Sequence, residues 1–262
     1  MALTKVSRGL VNTSIEDNGN ATAITIDSSE NVGIGITNPS DYYAENLVVG
    51  AADEGGITIE SGATEKTYLM FAQGTSGQSA YRGFIGYDHN TSLEIMNVAS
   101  SGVLNFITGS SQTERMRIDA SGRVTMPYQP AFDARSNSST MQITQGVVPY
   151  SIATVNTGSG YSTSTYRFTA PIAGQYLISW YGLLGDTNTN GTVSMSQLYI
   201  RKNGSQIVNC HSNNNDYWEQ ASCTTVVSLA VNDYVDVYLN SGGIYYGDSL
   251  NHYSKFCGYL IG

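Results

Sequence analysis

Phe168-Thr169-Ala170-Pro171-Ile172-Ala173-Gly174-Gln175-Tyr176-Leu177-Ile178-Ser179-Trp180-Tyr181-Gly182-Leu183-Leu184 reads as a strand, a tight turn around Pro171 and Gly174, and a long second strand. Period-two alternation from Gln175 onward puts Tyr176, Ile178 and Trp180 on one face. Leu177, Ser179, Tyr181 and Leu183 fall on the other, and both faces are largely apolar. The last strand behaves in the same way, with Phe256, Gly258 and Leu260 opposite Cys257, Tyr259 and Ile261. Tyr234 to Asn240 differs: Val235, Val237 and Leu239 face inward, while Tyr234, Asp236, Tyr238 and Asn240 make a wet face. A sheet in a sandwich normally shows one face to water. A sheet apolar on both faces needs a second cover, and no helical periodicity exists to supply one. Other copies of the chain are the economical cover, so Leu177, Tyr181, Leu183, Tyr259 and Ile261 are assigned to an interface between copies.

Outward from that stretch, residues 130–262 alternate short and long connections. The compact turns are Ala170–Ala173, Lys202–Ser205 and Ala230–Asp233; the long loops are 185–192, 212–219 and 241–252. In an antiparallel sheet successive connections fall on opposite ends, so the three long loops should gather at one pole. Variable polar and aromatic loops on a rigid scaffold are the usual way to build a binding surface. The candidate contact residues are Asp186, Asn188, Asn190, Asn214, Asp216, Tyr217, Trp218, Tyr245, Tyr246, Asp248 and His252. Tyr and Trp give large contact area at low entropic cost, and Asn both donates and accepts. That mixture suits a glycan, whose C–H faces stack on rings while its hydroxyls take bidentate partners.

Composition narrows the classes. Charged residues make up 13% and the formal net charge is -9, without a Lys/Arg cluster to hold phosphates, so nucleic acid is not an expected partner. Gly is 28 of 262, above the roughly 7% background, as suits a β-protein with many tight turns. No apolar leader follows Met1 and no run approaches the ~20 apolar residues of a membrane span, so synthesis in a cytosol without membrane insertion is expected. Cys210, Cys223 and Cys257 are odd in number, which in a reducing compartment fits free thiols. Cys210 and Cys223 flank the 212–219 loop, so a bridge between them stays open.

The first half is organised differently. Residues 1–50 read as an attachment or shaft segment and residues 51–129 as a β-rich stalk, both made of strands about four to six residues long between Gly-rich turns. A degenerate repeat links them: Ile24-Thr25-Ile26-Asp27-Ser28-Ser29-Glu30-Asn31-Val32 lines up with Met116-Arg117-Ile118-Asp119-Ala120-Ser121-Gly122-Arg123-Val124. The shared pattern is strand, Asx-type turn, strand. Strands this short do not bury a core in one chain, which points to short strands of several copies intertwined in a trimeric stalk.

Tyr166 to Tyr176 resembles the "F-x-x-P-x-x-G-x-Y" signature of C1q-like domains. Pro130-Ala131-Phe132, Arg201-Lys202-Asn203-Gly204, the Val227–Val235 segment and Phe256-Cys257-Gly258-Tyr259-Leu260 match the same family in order. The resemblance covers roughly residues 130–262 and implies a ten-stranded C1q/TNF-like jelly-roll knob that trimerises about an axis lined by the strands apolar on both faces, so that the interface between copies is a trimer interface. Asn31-Val32-Gly33-Ile34-Gly35-Ile36-Thr37-Asn38-Pro39 and Glu114-Arg115-Met116-Arg117-Ile118-Asp119-Ala120-Ser121-Gly122 are similar to repeats in bacteriophage tail fibres; Ile36 departs from the usual Thr of the first. Together these resemblances imply an all-β homotrimeric fibre in the virion tail. It would join other tail or fibre proteins through its N-terminal region and bind a bacterial surface glycan or outer-membrane receptor through its knob.

Two alternatives remain: a structural fibre component whose knob only drives and caps trimerisation, and a capsule depolymerase. The latter would need two carboxyls at a defined separation, from Asp186, Asp216, Glu219 and Asp248. No Gly-x-Ser-x-Gly, His-Glu-x-x-His, Cys-x-x-Cys or Walker-type phosphate loop occurs in the chain. The expectation is therefore a non-enzyme with no catalytic residues and no cofactor. Calcium on those loop acids is the one ion considered, since some C1q-like domains bind it at the tip.

Overall fold

A computed structural model describes residues 14–16, 22–43, 46–51, 55–89, 92–136, 141–142, 145–185, 196–212, 218–245 and 252–262. The chain divides into two compact units, Met1–Gly102 and Val103–Gly262. The step falls ahead of the change in sequence character at residue 130, so the segment from Val103 belongs with the C-terminal unit.

In the first unit, β1 (Ser14–Glu16), β2 (Thr22–Ile26), β3 (Val32–Ile34) and β4 (Leu47–Val49) form one sheet in that order. β5 (Thr67–Phe71), β6 (Gly83–Asp88) and β7 (Ser92–Asn97) form a three-stranded meander. The second unit opens with a small sheet of β8 (Leu104–Thr108), β9 (Thr113–Ile118) and β10 (Val124–Thr125).

The repeat is a real structural unit. Ile26 pairs with Val32 across the β2–β3 turn, and Ile118 with Val124 across the β9–β10 turn. In the first copy Asp27 Oδ1 accepts from the backbone N–H of Ser29 (2.8 Å) and Asn31 (3.0 Å). In the second, Asp119 Oδ1 accepts from Ser121 (2.8 Å) and Arg123 (3.0 Å). The fifth residue of each turn also reaches back: Asn31 Nδ2 and Arg123 Nε donate to the second carboxylate oxygen. The Asx-type turn expected from the sequence is thus made twice, the Asp carboxylate accepting from the backbone N–H groups two and four residues on in both copies.

The rest of the second unit is a two-layer sandwich. Its strands are β11 (Ala131–Arg135), β12 (Met141–Gln142), β13 (Gly146–Val147), β14 (Ile152–Thr157), β15 (Tyr161–Ser162), β16 (Arg167–Thr169), β17 (Gly174–Gly185), β18 (Ser196–Lys202), β19 (Ser205–Ser212), β20 (Trp218–Leu229), β21 (Tyr234–Ser241), β22 (Gly243–Tyr245) and β23 (Lys255–Leu260). One sheet runs β14-β11-β23-β17-β20, with β22 and β12 extending the edge beyond β23; the other runs β15-β16-β21-β18-β19, with β13 also paired to β21. The five main strands in each layer make the jelly roll implied by the resemblance.

The core follows the alternation. Tyr176, Ile178, Trp180 and Leu184 of β17, Phe256 and Leu260 of β23, and Val235, Val237 and Leu239 of β21 are buried between the layers. Phe132 stacks on Phe168 with centroids 4.6 Å apart. Each such side chain contributes about 1.5–3 kcal/mol by leaving water. The polar atoms inside are partnered: Trp180 Nε1 donates to Tyr150 Oη (2.6 Å), which also bonds Ser254 Oγ, and Tyr161 Oη donates to the Tyr150 carbonyl. Burial pushes the Tyr150 and Tyr161 phenols well above their ordinary values, so both stay neutral donors.

Two expectations need correction. The outer face of β21 is not wet throughout, because Asp236 is fully buried. Arg201 lies opposite it and grips it in a bidentate pair (2.8 and 2.9 Å), and Arg167 on the other side adds a third bond at 3.2 Å. Both guanidiniums lie over neighbouring rings, Arg201 over Tyr238 and Arg167 over Tyr234. Cross-strand register alone brings the three charges into line. The second correction is that Cys210 and Cys223 are bridged. β19 and β20 are edge strands of opposite layers, and packing brings the two Cα atoms to 6.0 Å, within disulfide range. Cys257 is the free cysteine.

Removing the Asp236 anion by Asp236→Ala leaves two guanidiniums facing each other and should cost about 3–5 kcal/mol, read as a lower urea midpoint with unchanged slope. Cys210→Ser opens the cross-layer bridge and should cost about 3 kcal/mol, a fall in melting temperature on the order of 10 °C. Dithiothreitol should lower the wild-type melting temperature to match and leave the variant unmoved.

Candidate functional site

The stems of the three long loops converge. At the end of β17, Gly185 pairs with Trp218 of β20 on one side and Gly243 of β22 on the other. In the opposite layer Ser196 pairs with Ser212, and Gln197 with Ser241. The layers are tied at this level by Ser196, fully buried, whose Oγ donates to the Gly185 carbonyl (2.8 Å) and receives the Gly243 N–H (3.4 Å). Gly242 makes that approach possible. Its φ is +75°, and a Cβ there would lie 2.7 Å from Ser196 Cα. The segments leaving β17, β19 and β21 therefore start from one rigid floor, as the alternation of short and long connections predicts.

The compact turns lie at the opposite pole and are knitted together. Asp233 Oδ1 accepts from Asn203 Nδ2 (2.7 Å), and its Oδ2 takes the Lys202 ammonium (2.9 Å) and the Ala230 N–H (2.9 Å). Asn203 Oδ1 in turn accepts the Tyr234 N–H (2.9 Å), and the Asp233 carbonyl accepts the Ala170 N–H (2.8 Å). Asn203 and Gly204 both have positive φ, the requirement of a two-residue hairpin turn that Asn-Gly meets. The jelly roll begins at this same end: Leu260 donates to the Pro130 carbonyl and Gln175 to that of Gly262. The chain thus enters at the short-turn pole, and the long-loop pole faces away from the point of entry.

Of the expected contact residues, Asp186, Asn188, Asn190, Asn214, Asp216, Tyr217, Tyr246 and Asp248 lie outside the described residues. Trp218 and Tyr245 are corrected from loop to strand: Trp218 opens β20 opposite Gly185, and Tyr245 closes β22 opposite Leu183 and Met141. Ile244 beside it is core, so the 241–252 loop begins later than its polar sequence suggests. His252 is half-buried on the approach to β23, and Glu219 and His211 are exposed on β20 and β19. Among the described residues no three His, Cys, Asp or Glu side chains are grouped to hold a metal ion. Ser196 and Gly242, which fix the floor, were not anticipated; the Gly242-Gly243 doublet was the available signal.

The expected interface residues all lie on the outward face of the β14-β11-β23-β17-β20 layer. Leu177, Tyr181 and Leu183 are half-buried, and Tyr259 and Ile261 are about half exposed. Val226, Leu177 and Tyr259 line up across three strands. The next row is polar: Ser179 bonds Thr224 (2.8 Å), and Lys255 pairs with Asp133 (3.0 Å). The face is thus apolar in bands rather than throughout.

With layers, register and poles in place, the comparison with known families is decisive: the model of the C1q domain matches residues 131–261. The chain belongs to the C1q family. Solved structures similar to it include the globular domain of zebrafish complement 1qA protein, 17% identical, covering 51% of this chain and 98% of that one, with a TM-score of 0.39. Murine APRIL at pH 5.0 is 14% identical, covering 51% of this chain and 99% of its own, with a TM-score of 0.39.

The C1q domain carries an acid-sensitive clasp at its short-turn pole. Hydrogen bonds from Asn203, then Lys202, then the Ala230 N–H pull the Asp233 carboxyl down to about 2. A lowered folded-state value means the clasp is intact above the ordinary value of 3.8 and is lost as pH falls toward 2. Asp233→Asn should flatten the fall in melting temperature between those two pH values and leave its pH dependence above 5 unchanged.

Proposed function

We propose that the chain is a homotrimeric fibre protein of a bacteriophage tail whose C1q domain binds a bacterial surface receptor, a glycan by its loop chemistry. One observation carries this reading. The stems of the three polar-aromatic loops rise from one rigid floor at the pole opposite Pro130, where the jelly roll begins, which supports a role for these loops in meeting a partner. C1q-type domains are typically binding domains rather than enzymes, which favours adhesion over depolymerisation. C1q-type domains also commonly trimerise, and the banded apolar face around Leu177 and Tyr259 supports such an assembly. Three weak contacts on one particle gain by effective concentration. The N-terminal repeats that resemble tail-fibre segments support attachment to other tail proteins, with the chain made in the host cytoplasm and carried in the virion.

The test is the double variant Trp218→Ala/Tyr246→Ala in the full chain. Its mass in solution should stay at three times the 28.1 kDa chain, while adsorption to host cells falls by about two orders of magnitude, because a loss at each site is compounded over three linked sites. Unchanged adsorption with an intact trimer removes the receptor-binding role and favours the capping one.

A further inference from the structure

The β5–β7 meander has two unlike faces. Its rows are set by register: Leu69 pairs with Ile85 and Ile85 with Ile95, while Thr67 pairs with Tyr87 and Tyr87 with Leu93. These side chains share one face, and Leu69 (50%), Ile85 (41%), Tyr87 (54%), Leu93 (69%) and Ile95 (53%) are largely open to water. A depression of about 220 Å³ on it is walled by Ile57 and Ile59. The opposite face carries the charges and an aromatic pair, although Met70 and Met96 on it are also 45% exposed. Tyr68 packs edge-on to Phe84 at 5.0 Å, and Lys66 pairs with Asp88 (3.0 Å) and Glu94 (3.5 Å).

All the charges of the meander therefore sit on one side, and the other is uncharged. At on the order of 100 Å² exposed per large side chain, the bare face with its Ile57 and Ile59 wall presents roughly 600–800 Å². That lies at or above the roughly 300–600 Å² of the largest patch on a typical monomer and close to the ~800 Å² each partner contributes to a standard interface. β6 is paired on both edges while β5 and β7 are each paired on one, and the side chains of the bare face lack a cover.

We propose that this face is a homotypic contact, covered in the assembly by the same face of other copies of the chain. An uncharged face meets its own image without like-charge repulsion, and its area matches what such a contact needs. The inference rests on the trimeric reading, which supplies the other copies tethered at high local concentration. It moves part of the assembly energy from the C1q domain to the first unit. In a threefold assembly each such face meets the same faces of the two other copies about the axis, side chain against side chain, in place of the intertwined strands expected from the sequence.

Site-directed cross-linking of the full chain tests it. In a Cys257→Ser background, Ile85→Cys places a thiol on the bare face and Met96→Cys places one on the charged face. With a short bis-maleimide at low micromolar chain, Ile85→Cys should give at least about tenfold more covalent dimer than Met96→Cys, because only the first thiol meets its copy at millimolar effective concentration. Equal yields, or none from Ile85→Cys, at a threefold mass overturn this inference and leave the trimeric C1q domain standing. Face-specific dimer at another multiple of the chain mass upholds the inference and removes the trimer. A single-chain mass removes both.

Discussion

β17 is the constraint on which the C-terminal unit depends. It is bonded along its whole length to β20 on one edge, and to β23 and then β22 on the other. Such a strand has no freedom of register, because a slip of one residue would carry Tyr176, Ile178 and Trp180 out of the core. Its first residue sits at the short-turn pole and its last, Gly185, under the long loops. One strand thus spans the distance between the short-turn pole and the pole from which the long loops leave.

The two poles differ in the chemistry that holds them. At the short-turn end a charged side chain, Asp233, gathers donors from two turns and its own backbone binds a third. At the loop end a neutral hydroxyl, Ser196, does the corresponding work in full burial. A buried carboxylate under the loops would need a partner of its own, whereas a hydroxyl is satisfied by one carbonyl and one amide. The disulfide between β19 and β20 closes the open side of the sandwich beside the same loops. The layers are thereby joined covalently where their strands stop pairing.

The first unit follows a different economy. It is built of small open-edged sheets whose apolar faces are largely uncovered; Val48 and Pro39 are buried apolar side chains among its described residues. The Asx turn used at Asp27, and again at Asp119 in the second unit, shows how such sheets are made cheaply: one carboxylate satisfies two backbone amides and a side chain. Local hydrogen bonding sets each hairpin, and sheets this small bury little apolar surface of their own.

Much of this was legible in residue order. Period-two alternation named the inward side chains of β17, β21 and β23, because a strand's two faces follow directly from its pleat. Pro, Gly and Asn at 171, 204 and 232 marked the compact turns, because their backbone preferences are local. The Asx turns were readable for the same reason. Contacts between distant segments were not. Asp236 looked like a solvated residue until cross-strand register set Arg167 and Arg201 on either side of it. Cys210 and Cys223 could be bridged or free until the edges of two layers met, and Trp218 and Tyr245 looked like loop residues until Gly185 and Leu183 drew them into a sheet. Alternation and turn chemistry act over a few residues and are written in the chain; ion pairing, bridging and the extent of each loop depend on which strands become neighbours, and packing alone decides that.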